Sequence, residues 1–275
     1  MISICTVTLN RLEDFLKIFC QSIVESTTLV NEVIIVNADL DSNDYSWTEK
    51  GIKFHVVCGK HDLFSLSSPA ALCAQHAYGL HQAIELSNND YLLISDPDIF
   101  FYTKIDDFYL SLMGENNLEF IGVSRPNATS HSITYFPSVM NLFTKKEYLP
   151  PKEFLLDCDL GLSFKGNNQP NLPGVYLYPN CPEEYKSLFP NPDGHYETGC
   201  KLLVWTNKKA YNWLSFQTPD CHIYYTKYHR TTFKKTLKLP NIKILYHASL
   251  AAGPHNQIVP FTNAWKEYKE TIDLR

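Results

Sequence analysis

The sequence predicts an α/β protein in which a mostly parallel central sheet is flanked by helices on both faces. Three features carry that expectation. Apolar, β-branched runs in the first hundred residues are continuous rather than alternating, so each strand needs cover on both faces. Segments of helical period separate those runs. Polar residues close the runs at their carboxyl ends, where open α/β sheets collect ligands.

The elements follow in order. "ISICTVTL" (2–9) reads as a buried strand, and Asn10 offers a helix cap with Glu13 three residues on. Leu12, Phe15, Leu16, Phe19 and Ile23 then repeat at helical spacing. "EVIIVNADLDSND" (32–44) is a second buried strand running out into a polar loop, and "IKFHVVCG" (52–59) is a third. Ser68 and Pro69 suit a cap and first helical position, and a helix runs from Ala70 towards Leu86 before "NND" stops it. Tyr91 to Ser95 is the fourth strand, and it leads into "DPDIFFY".

Beyond residue 115 the pattern is less regular. "LEFIGVSR" (118–125) and "SVMNLFT" (138–144) read as strands, whereas 165–195 is dense in turn residues and has the character of binding loops. "ETGCKLLVWTNKKAYNW" (197–213) returns to helix, "KILYHASL" (243–250) is a short strand and "NAWKEYKETI" (263–272) a closing helix. With no internal repeat and no clean linker, residues 1–275 are expected to form one domain.

The chain has 275 residues, 44% of them hydrophobic and 19% charged, enough to bury a substantial core. A formal net charge of −5 gives no general attraction to polyanions, so nucleic acid is not an expected partner. "TKYHRTTFKKTLK" (226–238) is a local basic stretch that suits either a solvated face or an anionic surface. Eight cysteines are scattered without a CxxC pair, which suggests buried thiols in a reducing compartment. No basic-then-apolar leader opens the sequence and no window has the length to span a bilayer. A soluble cytoplasmic protein is expected, with the sequon at Asn127 unused.

Asp96 and Asp98 lie two apart around Pro97. In an extended segment that spacing puts both carboxylates on one face, where they repel unless a cation or proton lies between them. A divalent ion held by oxygen ligands and substrate phosphates resolves the conflict. The alternative is that one Asp caps the following turn and the other is solvated.

Together, these features resemble the nucleotide-sugar half of GT-A fold, Rossmann-like glycosyltransferases. "TVTLNRLEDFLKIFCQSI" is similar to that family's first strand and helix, "VIIVNADLDS" to its second strand, and "AALCAQHAYGLHQAIELSNNDYLLISDPD" to the helix and strand leading to its metal-binding D-x-D. The resemblance covers residues 1–102, the expected donor half, and reaches 103–275, the expected acceptor half, through isolated motifs. It implies that Thr8, Asn10, Asn37, Asp39, His76 and Asp96 face a nucleoside-diphosphate sugar; His76 stands where asparagine is often found. It implies that Asp96 and Asp98 hold Mn2+ or Mg2+. "HYETGCKLL" resembles the family's acidic residue under the acceptor site, which would make Glu197 the general base, with Asp193 and His195 as neighbours able to substitute. A carboxylate there also simply suits a helix N-terminus. "LYHASLAAGPH" resembles the loop that places a histidine on the metal; His247 fits, with His255 in reserve, although a histidine at a strand end also serves as a hydrogen-bonded structural residue.

The implied reaction moves a sugar from the donor to a hydroxyl of a glycan or other acceptor. Cation charge offsets the leaving diphosphate, and in-line attack inverts the anomeric centre. Tyr- and Phe-rich loops offer faces for sugar rings. Two other classes compete: a sugar-nucleotide nucleotidyltransferase, whose Gly-rich basic loop after the first strand is missing here, and a glycan-binding protein of the same fold without turnover. Walker, G-x-S-x-G, H-E-x-x-H and G-x-G-x-x-G motifs are absent from the sequence.

Overall fold

The computed structural model describes residues 1–9, 12–39, 43–59, 69–124, 136–150, 200–219, 222–233, 237–248 and 257–273, with backbone only at 69–74, 200, 201, 204 and 273. The expected cap at Ser68, the loops of 165–195 and the sequon at Asn127 lie outside the described residues.

The described strands are β1 (Ile2–Thr8), β2 (Val30–Asn37), β3 (Tyr45–Glu49), β4 (Ile52–Cys58), β5 (Tyr91–Ser95), β6 (Ile99–Phe101), β7 (Phe120–Val123), β8 (Asn141–Lys145), β9 (Trp213–Gln217), β10 (Ile223–Thr231) and β11 (Lys243–His247). The helices are α1 (Glu13–Ser26), α2 (Pro69–Leu86), α3 (Ile105–Asn116), α4 (Cys200–Lys209) and α5 (Ile258–Asp273). Among the described residues, no helix is long and apolar enough to cross a membrane.

All eleven strands join one sheet in the order β3-β4-β2-β1-β5-β8-β7-β9-β10-β11-β6. Its N-terminal part is parallel, with β1 between β2 and β5 and β4 beyond β2. β7 also runs parallel to β9. Every other junction is antiparallel: β3–β4, β5–β8, β7–β8, β9–β10, β10–β11 and β6–β11. The mostly parallel sheet expected from the sequence is therefore corrected to a mixed, largely antiparallel one. Continuous apolar runs report burial on both faces and say nothing about strand direction.

β3 is additional to the strands expected from the sequence, which leave residues 45–51 unassigned between the second strand's loop and the third strand. β3 and β4 form a hairpin closed by Lys50 (φ 45°) and Gly51 (φ 84°), the left-handed pair that a tight hairpin turn requires. Helix α1 begins at Glu13, and Leu12 before it makes no side-chain cap.

β5 and β6 are separated by residues 96–98 alone, yet β6 sits at the far end of the strand order. Three residues span no more than roughly 10–14 Å between their flanking neighbours. The strands from β8 to β11 must therefore curl back until β6 stands beside β5. The interior of this curl is the main core, with Leu93, Phe101, Ile121, Phe143, Phe216, Tyr224 and Leu245 packed against Phe19 of α1 and Tyr109 of α3. A second cluster under α2 and α4 covers the opposite face of β1, β2 and β5. A third, largely aromatic, joins α1 and α5 to β6 and β11 through Phe15, Phe100, Tyr246, Phe261 and Trp265.

Candidate active site

Local pairing explains why the chain turns at the D-x-D. Asp96 N–H still donates to Met140 O (2.9 Å), prolonging the β5–β8 ladder by one bond. Pro97 supplies no donor, and Pro97 and Asp98 form the turn into β6. There Ala248 N–H donates to Asp98 O (2.9 Å), and the β6–β11 register sets Ile99 opposite His247.

That register delivers His247 to the acids. Its Nε2 lies 3.5 Å from Asp98 Oδ2, and one ligand atom each from Asp96, Asp98 and His247 fall within 4.8 Å of one another. His247 is 2% exposed and Asp98 8%, whereas Asp96 is half-buried. Asp98 Oδ1 is buried and has no hydrogen-bond partner among the described residues. A carboxylate buried beside another carboxylate is costly unless a positive charge compensates it.

The donor set fits a divalent cation. Ligands about 2.1 Å from an octahedral ion stand about 3 Å apart when adjacent, so the 3.5 Å between Nε2 and Oδ2 closes with a small shift. Two carboxylates with an imidazole suit Mn2+ better than Mg2+, which favours oxygen alone.

Around this triad, two more histidines take part. His76, on α2, places Nε2 3.3 Å from Asp96 Oδ1, so it reaches the acid itself. His222 was not singled out from the sequence, where no motif marks it. Its O accepts from His247 N–H (2.9 Å), its Nδ1 lies 3.0 Å from His247 O, and its ring stacks on Tyr246 at 5.4 Å. Tyr246 in turn stacks on Phe100 at 5.2 Å. This column holds the end of β11 that carries His247.

The tips of β1 and β2 emerge at the same carboxyl edge as β5. A cleft of about 360 Å3 opens there, lined by Thr8 and Asn37 together with Glu13, Asn43 and Tyr45. Asn37 Oδ1 accepts from Asp39 N–H (3.1 Å), and Thr8 Oγ1 donates to Leu9 O (3.3 Å). Asp39 is half-buried just past the cleft. Tyr45 is 58% exposed and stacks on Trp47 at 5.9 Å, giving the cleft a flat aromatic rim. Glu13, Asn43 and Tyr45 were not picked out as site residues, because Tyr45 and Asn43 come to the cleft only through the unforeseen hairpin. Asn10, Asp193, His195, Glu197 and His255 lie outside the described residues.

No protein-family profile matches this chain, and no curated protein does. Solved structures resemble part of it. S. aureus TarS 1–349 is 13% identical, with a TM-score of 0.38 over 56% of this chain and 50% of that one. TarS 1–349 in complex with UDP-GlcNAc is 12% identical, with a TM-score of 0.38 over 56% and 48%. The mannosyltransferase PcManGT from Pyrobaculum calidifontis, in complex with GDP-Man and Mn2+, is 10% identical, with a TM-score of 0.37 over 54% and 45%. The chain thus spans about half the length of these structures or slightly less.

Proposed function

We propose that this protein is a divalent-metal-dependent glycosyltransferase that moves a sugar from a nucleoside-diphosphate sugar to an acceptor hydroxyl, with inversion. The observation that carries the reading is the convergence of Asp96, Asp98 and His247, whose ligand atoms lie within 4.8 Å of one another at the carboxyl edge of the sheet. The cleft between the tips of β1 and β2 supports it, since Thr8, Asn37 and the Tyr45 ring offer the polar and flat apolar contacts a nucleoside needs.

In this reading Asp96, Asp98 and His247 hold the cation, and residues 1–102 bind the nucleotide, Thr8, Asn10, Asn37 and Asp39 among them. His76 restrains Asp96. The bound cation supplies positive charge that offsets the charge growing on the leaving diphosphate. Residues 103–275 receive the acceptor, and Glu197 takes the proton from its hydroxyl. A carboxylate placed as base on the acceptor side favours inversion.

The test is donor turnover. With Mn2+ and a panel of nucleotide sugars, the protein is expected to release nucleoside diphosphate, and Asp98→Ala is expected to lose Mn2+-dependent donor binding while its far-UV spectrum stays unchanged. Glu197→Gln should bind donor and fail to transfer. Full Mn2+-dependent affinity in Asp98→Ala would remove the metal role. Pyrophosphate release from a sugar phosphate and a nucleoside triphosphate would instead mark a nucleotidyltransferase.

A further inference from the structure

Beneath the D-x-D turn, the interior of the curl changes from apolar to polar. Side chains two apart on a strand face the same way. Ile4, Leu93 and Phe143 belong to one core cluster, so Thr6, Ser95 and Asn141 occupy that same face one step nearer the turn. Ser95 is the register partner of Asn141, and Thr6 follows Cys5, the partner of Ile94. All three are 0% exposed.

Tyr109, fully buried on α3, donates its hydroxyl to Asn141 Oδ1 at 2.7 Å. This bond sets the orientation of the amide: its oxygen is engaged and Nδ2 remains as a donor. Among the described residues, Asn141 Nδ2, Thr6 Oγ1 and Asp98 Oδ1 are buried without a hydrogen-bond partner. Folded proteins leave few such atoms. Here a donor and a hydroxyl are orphaned on that face, and a carboxylate oxygen is orphaned in the turn that begins directly after Ser95, so their chemistry is complementary. A buried water commonly makes about three hydrogen bonds to such groups.

We propose that Asn141, oriented by Tyr109, is a positioning residue for Asp98. Its Nδ2 holds the Oδ1 edge of the carboxylate through a buried water that Thr6 also bonds. Asp98 is thereby fixed with Oδ2 turned to His247 and the cation. This role rests on the metal reading above, and it explains why a core position between Phe143 and the turn carries an amide and a tyrosyl hydroxyl rather than apolar groups, which would be cheaper to bury.

Mn2+ binding, read from the free-ion EPR signal without donor or turnover, tests it in the wild type, Asp98→Ala, Tyr109→Phe and Asn141→Ser, with urea midpoints measured alongside. Tyr109→Phe removes one oxygen and keeps the ring, so it decides the matter if Asn141→Ser does not fold. Each of the two variants is expected to weaken Mn2+ binding about 10-fold, the lower end of the effect of losing a partner behind a metal ligand. A purely structural role would lower the urea midpoint and leave the Mn2+ affinity of the folded protein unchanged. Affinity within twofold of wild type in folded Tyr109→Phe overturns the proposal. If Asp98→Ala loses Mn2+ and the other two keep it, only the positioning role falls; if Asp98→Ala binds Mn2+ like wild type, the metal reading falls with it.

Discussion

Glu32 and Asp98 are both buried acids, at opposite edges of the sheet, and their surroundings differ in kind. Burial raises the Glu32 carboxyl, but hydrogen bonds from Ser3 and Asn88 outweigh it and hold the group below the ordinary glutamate value. Asn88 N–H and Nδ2 donate at 2.6 and 2.8 Å, alongside the Ser3 hydroxyl. A depressed folded value means that the stabilisation is present above the unfolded-state value and is lost as pH falls through the folded one. Glu32→Gln is therefore expected to cost about 1.5–3 kcal/mol at neutral pH, the range for hydrogen bonds to a charged group, with the gap to wild type narrowing in acid. Urea titrations across pH 2–7 measure it. Asp98, by contrast, has one oxygen without a hydrogen-bond partner among the described residues, and its ion-pair partner there is His247 at 3.5 Å. Two carboxylates brought together repel when no cation lies between them, so Asp98→Asn should stabilise the metal-free protein by about 0.5–2 kcal/mol while losing Mn2+ binding. Melting in EDTA and in Mn2+ distinguishes the two effects.

Among the elements, β7 and β8 approach closely at Gly122. A Cβ on Gly122 would lie 2.1 Å from Asn141 O and 3.1 Å from Asn141 C, both backbone atoms that cannot rotate away. Gly122→Ala must push the strands apart, and a loss of about 1–3 kcal/mol or more is expected, as for other overpacked sites. The displaced residue is the one proposed to support Asp98, so Mn2+ affinity should fall with the urea midpoint. A normal midpoint would show that β7 can retreat without cost. The β3–β4 hairpin illustrates the same dependence of site on element, since it carries Tyr45 to the cleft at the tips of β1 and β2.

For the whole molecule, the closure of the curled sheet is the decisive feature. Phe100 is fully buried between Tyr246 (5.2 Å), Phe261 (5.4 Å) and Trp265 (5.3 Å), which tie β6 and β11 to α5. Phe100→Ala is expected to cost about 3–5 kcal/mol, as for large aromatic deletions in cores. Because β6 and β11 bring Asp98 and His247 together, the variant should also bind Mn2+ more weakly at denaturant-free equilibrium. Undiminished Mn2+ affinity in the destabilised protein would show that the triad does not depend on this closure.

Local chemistry determined what could be read directly from the chain. The strand–helix–strand order of the first hundred residues, the end of β5 and the pair of acids after it were legible, because apolar burial and turn residues leave a signal within a few positions. The polarity of the sheet was not, since the same apolar run serves a parallel or an antiparallel neighbour. β10 left little signal because only Tyr224 and Thr226 along it are buried, and its register breaks between Tyr225 and His229. His247 could be named through a resemblance, but only the β6–β11 register sets it beside Asp98. Asn141 and Tyr109 carried no signal of their own. Their meaning arises from which polar atoms remain unpaired once distant strands have packed, a property of the folded interior and of no single segment.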